Sequence, residues 1–222
     1  MMMIIKTPKI PTYICKKIYK RLKAHHSVYL TRSIDRTVSL AERAELAEKI
    51  KADLFISIHM NSAPEKISHG IETYYLDNHQ NAAVTKIEKV ENIMGAGKSE
   101  EEHIVGQILA DLVVQNTVVS SRRLAKSVHN QLHQNLVTTY TVNDRGVKAG
   151  LFYVLALTKR PAILIECGFM SHNAELRRLL NPLFQDQFAR AVVAGIEKFM
   201  APDVVFKKNC KRVIENKNVP LL

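Results

Sequence analysis

Two side chains capable of proton and metal chemistry stand at the ends of two strongly apolar stretches of this chain. "DLFISI", residues 53–58, runs directly into His59, and "PAILI", residues 161–165, runs into Glu166. In a parallel α/β sheet, ligands gather beyond the carboxyl ends of the strands. A carboxylate that closes an apolar strand is costly there unless something pairs with it. One imidazole and one carboxylate on two strand ends suit a hydrolytic metal site, with histidine holding the ion and glutamate taking a proton from metal-bound water. From the residues alone, that reading stands level with a structural histidine and a surface glutamate.

Other constellations are weaker. "HNQLH" spaces His129 and His133 four apart on one helical face, a legitimate zinc spacing, but without the glutamate of a metalloprotease motif. The stripe Leu124, Val128, Leu132 beside them places both histidines at the boundary of a buried face. "ENIMGAGKS" ends like a phosphate-binding loop, yet the first glycine position is Asn92 and a helix, rather than a strand, precedes it. Cys15, Cys167 and Cys210 are too scattered for a disulfide framework or a cysteine zinc cage.

The elements that must position these groups follow from periodicity. Helical and strand periods alternate, which predicts an α/β domain. Ile14, Ile18 and Leu22 predict a helix over 12–24, followed by a strand over 27–32. Ser39 and Glu42 form a capping box opening a helix that runs to about Ile50. Strands are expected at 53–58 and 70–76. A polar excursion over 77–102 carries one helix near 83–94, and helices follow near 104–114 and 121–135. Residues 150–157 and 161–167 are two strand-length apolar runs. Asn181 as cap and Pro182 in the first turn open a helix to Met200.

With 222 residues the chain can build one sizeable core, expected over 1–201, with a basic tail over 202–222. A net charge of +11 implies attraction to polyanions: nucleic acid, an acidic membrane surface or an anionic wall polymer. No basic stretch is interleaved with aromatic residues, so no nucleic-acid partner is expected. The apolar runs are too short for a transmembrane segment. "MMMIIKTPKIP" has neither the basic start nor the cleavage site of a signal peptide.

A series of motifs from about residue 12 to residue 200 resembles, in order, the zinc-dependent N-acetylmuramoyl-L-alanine amidases that cut peptidoglycan. They are "VYLTR" with Asp35 shortly after, "SLAERAELAEKIKADLFISIHMNS", "GIETYYL", "ILADL", "SSRRLAKSV", "NDRGVKAGLFYVL" and "PAILIECGFMSHNAEL". The resemblance implies a single α/β domain whose twisted, mostly parallel sheet is flanked by helices on both faces. It also implies hydrolysis of the amide between the N-acetylmuramic acid lactyl group and L-alanine of the stem peptide. In that reaction Zn2+ polarises the carbonyl and lowers the water pKa.

His59 matches the zinc-ligating histidine of the family's S-I-H motif, and Glu166 matches the catalytic acid/base of its L-[IV]-E-x-G-F motif. Asn61 and Arg145 lie in matching motifs near the rim and are candidates for orienting a ligand or the substrate. Peptidoglycan is the implied partner, and the periplasm or cell envelope the implied place. Regulated members carry a helix that blocks the site and answers to an activator protein; residues 83–102 occupy the corresponding segment.

The chain departs from the family at its start. The family opens with a strand leading into a G-H-G-G loop, whose histidine is the first zinc ligand, and a glutamate at the start of the first helix is another. Residues 1–24 contain no His, Asp or Glu, and the glutamate position falls near Pro11. One imidazole does not hold zinc usefully. His25 and His26 precede the 27–32 strand and belong to the opposite end of the sheet. Cys15, a turn inside the first helix, is a poor substitute. His69, His79 and His103 reach the rim only if their loops fold over it. The expectation is a truncated or mis-started gene product, or a member that has lost catalysis and remains as a wall-binding or regulatory remnant. A basic nucleic-acid-binding protein is the rival from another class.

Overall fold

Among the described residues, six short strands pair into one sheet. The computed structural model describes residues 2–5, 10–34, 36–64, 67–77 and 100–201. In chain order its elements are β1 (Met2–Ile5), α1 (Ile10–Leu22), β2 (Tyr29–Leu30), α2 (Leu40–Lys49), β3 (Phe55–Asn61) and β4 (Ile71–Leu76). After these come α3 (Glu100–Leu132), β5 (Asp144–Gly150), α4 (Tyr153–Ala156), β6 (Ala162–Phe169), α5 (Asn173–Leu180) and α6 (Pro182–Met200). The strand order is β2-β1-β3-β6-β4-β5.

Neighbouring strands from β2 to β6 run parallel, as do β4 and β5, whereas β4 runs antiparallel to β6. One edge of the sheet therefore gathers the carboxyl ends of β1, β2, β3 and β6 together with the amino ends of β4 and β5. We call that edge the rim.

Both faces of the sheet are covered, which is why β3 and β6 are buried along their whole length. Alternate residues sort the two cores. Ile56, Ile58, Met60, Ile163, Ile165 and Cys167 pack with α1, α6 and the later part of α3 through Ile14, Ile18, Val128, Phe188 and Val192. Phe55, Leu164, Tyr74 and Leu76 pack with α2 and α4, joined by Val113 and Val114 of α3. The expected α/β architecture with a mostly parallel, doubly covered sheet is thus the one adopted.

Several local expectations shift. The first helix begins at Ile10 and ends at Leu22, and the second strand shortens to Tyr29–Leu30. His59 lies inside β3, two residues before its end, rather than just beyond it. The two helices expected at 104–114 and 121–135 are one helix, α3. It continues through a π-helical turn, His133–Val137, and a closing turn, Thr138–Tyr140, and stops where Thr141 turns left-handed at φ 51°.

The run 150–157 is not a strand. β5 precedes it, and Tyr153–Ala156 form the short helix α4, apolar throughout because it is buried throughout. A short apolar run carries no period to separate the two structures. The Ser39–Glu42 capping box and the Asn181–Pro182 helix start form as expected. The helix near 83–94 and the tail 202–222 lie outside the described residues. No helix among the described residues is long and apolar enough to cross a membrane.

α3 and α6 cross at Gly195, and Ser127 Oγ donates to the Gly195 carbonyl at 2.7 Å. A Cβ on Gly195 would run into the backbone of Val128. Backbone cannot yield as a flexible side chain would, so Gly195→Ala is expected to cost about 1–3 kcal/mol. Thermal melting, which should drop by roughly 2–4 °C per kcal/mol in a chain of this size, checks it.

Candidate active site

The parallel pairing of β3 with β6 sets His59 and Glu166 opposite one another as Cα partners. Both are nearly fully buried, at 2% and 1% exposure. By alternation, Ser57, His59 and Asn61 share the face on which Glu166 lies, the face of α2 and α4. The antiparallel ladder then places Glu72 of β4 opposite Glu166. A row of ionisable side chains so crosses the sheet near the rim: His59, Glu166, Glu72, and beyond them the cations of β5.

Glu72 is fully buried and held by three groups. Arg145 Nε and Lys148 Nζ both reach its Oε1, the latter at 2.9 Å, and the Tyr74 hydroxyl donates to Oε2. Burial pushes the Glu72 pKa up, but the Tyr74, Arg145 and Lys148 hydrogen bonds outweigh it and hold the carboxyl below its ordinary value. The same burial and the adjacent Glu72 push the Tyr74 phenol well up, which keeps it a donor. The Arg145 guanidinium also lies over the Phe169 ring, 5.3 Å from its centroid.

The loops at the rim are tied to one another. Asn61 is buried; its Oδ1 accepts from the Ser62 N–H and its carbonyl accepts from the Met170 N–H, both at 2.8 Å. Its Nδ2 has no hydrogen-bond partner among the described residues. Ser171 Oγ accepts from the Ala63 N–H at 3.1 Å. Glu175 Oε2, on α5, accepts from the Gly70 N–H at 3.0 Å and the Phe169 N–H at 2.8 Å, which fastens the start of β4 to the end of β6. Gly70 has φ +120°, and a Cβ there would stand 2.5 Å from the Asn143 carbonyl oxygen, so only glycine lets the chain enter β4 here.

The structure thus brings His59, Glu166, Asn61 and Arg145 to one region. It places Arg145 on Glu72, a residue the sequence reading passed over although it is an acid within the buried "GIETYYL" strand, the same signal that marks Glu166. Lys148, Tyr74 and Glu175 were also missed. His129 and His133 stand apart at the outer strand. His129 is buried between Thr73 Oγ1 and Asp144, and the exposed His133 holds the other Asp144 oxygen at 2.5 Å. His25 and His26 follow α1 at the end of the sheet opposite the rim, as expected. His69 does reach the rim, because β4 runs antiparallel to β6.

The described residues do not by themselves make a zinc site. Among the described residues no three His, Cys, Asp or Glu side chains could hold a metal ion. The sequence between β1 and α1 is Lys6, Thr7, Pro8, Lys9, with no imidazole or carboxylate. Glu72 and Glu175 are taken up by cations and backbone N–H groups.

The profile of a family described as N-acetylmuramoyl-L-alanine amidase matches residues 8–198. The chain is 30% identical over 183 residues to N-acetylmuramoyl-L-alanine amidase LytC of Bacillus subtilis, covering 82% of this chain and 29% of that protein. It is 27% identical over 190 residues to N-acetylmuramoyl-L-alanine amidase AmiA of Escherichia coli, covering 82% and 64%. It therefore spans less than two thirds of the length of these relatives. The solved N-acetylmuramoyl-L-alanine amidase from Clostridium difficile 630 superposes with a TM-score of 0.66 at 25% identity, covering 91% of this chain and 97% of that one.

Glu72 generates two expectations. Its folded pKa is depressed, so its contribution to stability is complete above the unfolded value near 4.5 and is lost as the pH falls from there through the folded value. Asp144, where burial is outweighed by His129, His133 and the Gly146 N–H, adds a loss of the same sign. Glu72→Gln is expected to flatten the acid limb of a stability–pH curve measured by urea unfolding. Arg145→Ala removes one of two cations from a buried carboxylate. It is expected to cost about 1–3 kcal/mol, less than the 3–5 of a fully orphaned charge, because Lys148 and Tyr74 remain.

Proposed function

The chain belongs to the N-acetylmuramoyl-L-alanine amidase family, and from that premise we propose that it hydrolyses the amide between the N-acetylmuramic acid lactyl group and L-alanine of the peptidoglycan stem. The observation that carries the proposal is the buried pairing of His59 with Glu166 at the rim. Glu166 takes a proton from the attacking water as the water oxygen bonds to the amide carbon. It returns that proton to the nitrogen as the C–N bond breaks, so the products are a lactyl carboxylate and a stem peptide with a free L-alanine amine. Asn61 offers a buried amide N–H to the substrate, and Arg145 orients the site through Glu72. Residues 1–201 form the reacting unit, with 202–222 as a basic extension, and the substrate places the reaction in the periplasm or cell envelope.

The family is zinc-dependent, and His59 is the imidazole this chain sets beside Glu166 toward such an ion. The ligand-free sequence at residues 6–9 favours a second reading, a protein that holds the wall without cutting it. Purified sacculi decide between them. Release of stem peptides with amino-terminal L-alanine, read by mass spectrometry, is expected from the wild type. Glu166→Gln should lower it by about 10²–10⁴-fold with no fall in melting temperature. Unchanged release in the variant removes Glu166 from the reaction; binding to sacculi without release by the wild type establishes the second reading. Zinc per molecule, measured beside His59→Ala, separates them again: stoichiometric metal lost in the variant accompanies hydrolysis, and none in either accompanies binding alone.

A further inference from the structure

Two histidines outside the roles above meet at the rim. His69 stands two residues before β4 and His172 caps α5. Their ring centroids are 5.1 Å apart with planes tilted by 34°. His69 is exposed and His172 half-buried.

A neutral imidazole carries one N–H and one lone pair, and the bond made by Nδ1 decides which of the two Nε2 presents. His69 Nδ1 lies 2.8 Å from the Ile67 carbonyl oxygen, which can only accept, so Nδ1 carries the proton and Nε2 keeps the lone pair. His172 Nδ1 accepts from the Glu175 N–H at 3.3 Å, so its proton sits on Nε2. Both tautomers are assigned from the hydrogen-bond network. The stack therefore offers an acceptor on one ring and a donor on the other. The donor form of His172 also keeps its Nε2 from ligating a metal.

The backbones beneath the rings are fixed. The His69 carbonyl accepts from Asn143 Nδ2 at 3.1 Å, and Glu175 holds both the Gly70 and the Phe169 N–H groups. An acceptor and a donor on adjoining rings suit one kind of ligand. In an extended peptide the N–H and C=O of one residue point to the same side, as they do when two paired strand residues exchange both bonds. A lone trans amide, such as an N-acetyl group, points its N–H and C=O in opposite directions.

We infer that His69 and His172 form a subsite for one residue of an extended peptide, whose N–H donates to His69 Nε2 and whose C=O accepts from His172 Nε2–H. The inference rests on the amidase reading, in which a stem peptide leads away from the scissile bond, and it lays that peptide over the loops before β4 and after β6.

The test is calorimetric titration with a disaccharide-tripeptide muropeptide and, separately, with the same disaccharide lacking its stem, in the Glu166→Gln background so that no turnover intervenes. His69→Phe keeps a ring against His172 and loses both nitrogens. His172→Asn keeps a capping oxygen for α5 and loses the Nε2 donor. Melting temperatures confirm that both fold. Each variant is expected to bind the muropeptide roughly three- to tenfold more weakly, as the loss of one hydrogen bond dictates, with the stem-free disaccharide unaffected. Unchanged muropeptide affinity in either folded variant overturns the subsite, as does an equal loss for the stem-free sugar or a parent protein that does not bind the muropeptide. Failure of hydrolysis by the wild type would sink the amidase reading, while this binding comparison would still decide the subsite.

Discussion

Glu72 and Glu166 oppose each other across the β4–β6 ladder, and much of the rim is arranged around that juxtaposition. Residues directly opposite in an antiparallel pair have Cβ atoms about 4.5–5.5 Å apart. Two carboxylates facing each other in a buried ladder disfavour joint ionisation unless cations or hydrogen-bond donors stand beside them. The sheet meets this by setting β5 outside β4, where Arg145 and Lys148 reach across to Glu72, with Tyr74 donating from the same strand. The arrangement needs β4 and β5 to run against β6, since only then do their amino ends stand at the carboxyl end of β6.

Strand polarity alone does not hold the rim in place. The loops before β4 and after β6 come from opposite strand directions and share no backbone ladder at that point. Glu175 supplies the link, one carboxylate oxygen accepting an N–H from each loop while Arg178 reaches the other oxygen at 3.3 Å. On the other side of β6, the Met170 N–H to Asn61 carbonyl bond and the Ala63 N–H to Ser171 bond tie the same loop to the end of β3. Glu166 thus sits on a strand whose exit is fastened to both neighbours, and its position is set by hydrogen bonds several residues away.

Apolar strands ending in a polar residue were readable because burial on both faces imposes a continuous hydrophobic run, so a charge at its end stands out. That logic singled out His59 and Glu166, which the structure makes strand neighbours, while their roles came from the family resemblance. Glu72 carries the same signal more faintly, since "GIETYYL" mixes polar and aromatic residues, and its meaning depends on β4 reversing direction, which no local pattern encodes. The reversal also brought His69 to the rim. Helix starts with side-chain caps, at Ser39 and Asn181, were legible because the capping bond is local. α4 was not, because a run buried on every side shows no period, and α3 read as two helices because its inward stripe passes from one core to the other along its length.

The sheet and the metal loop answer to separate physical demands. β1 fills its place between β2 and β3 by backbone pairing, and that pairing is indifferent to whether the next four residues carry ligands. Loss of ligands would therefore leave the fold intact. The buried row of His59, Glu166 and Glu72 is another matter. Buried ion pairs can commonly be replaced by apolar residues of similar volume with no loss of stability or with a gain. A sheet interior selected for packing alone has no use for two facing carboxylates, two cations to balance one of them, and a buried amide N–H of Asn61 without a partner among the described residues. That arrangement suits the polar ligand proposed for the rim.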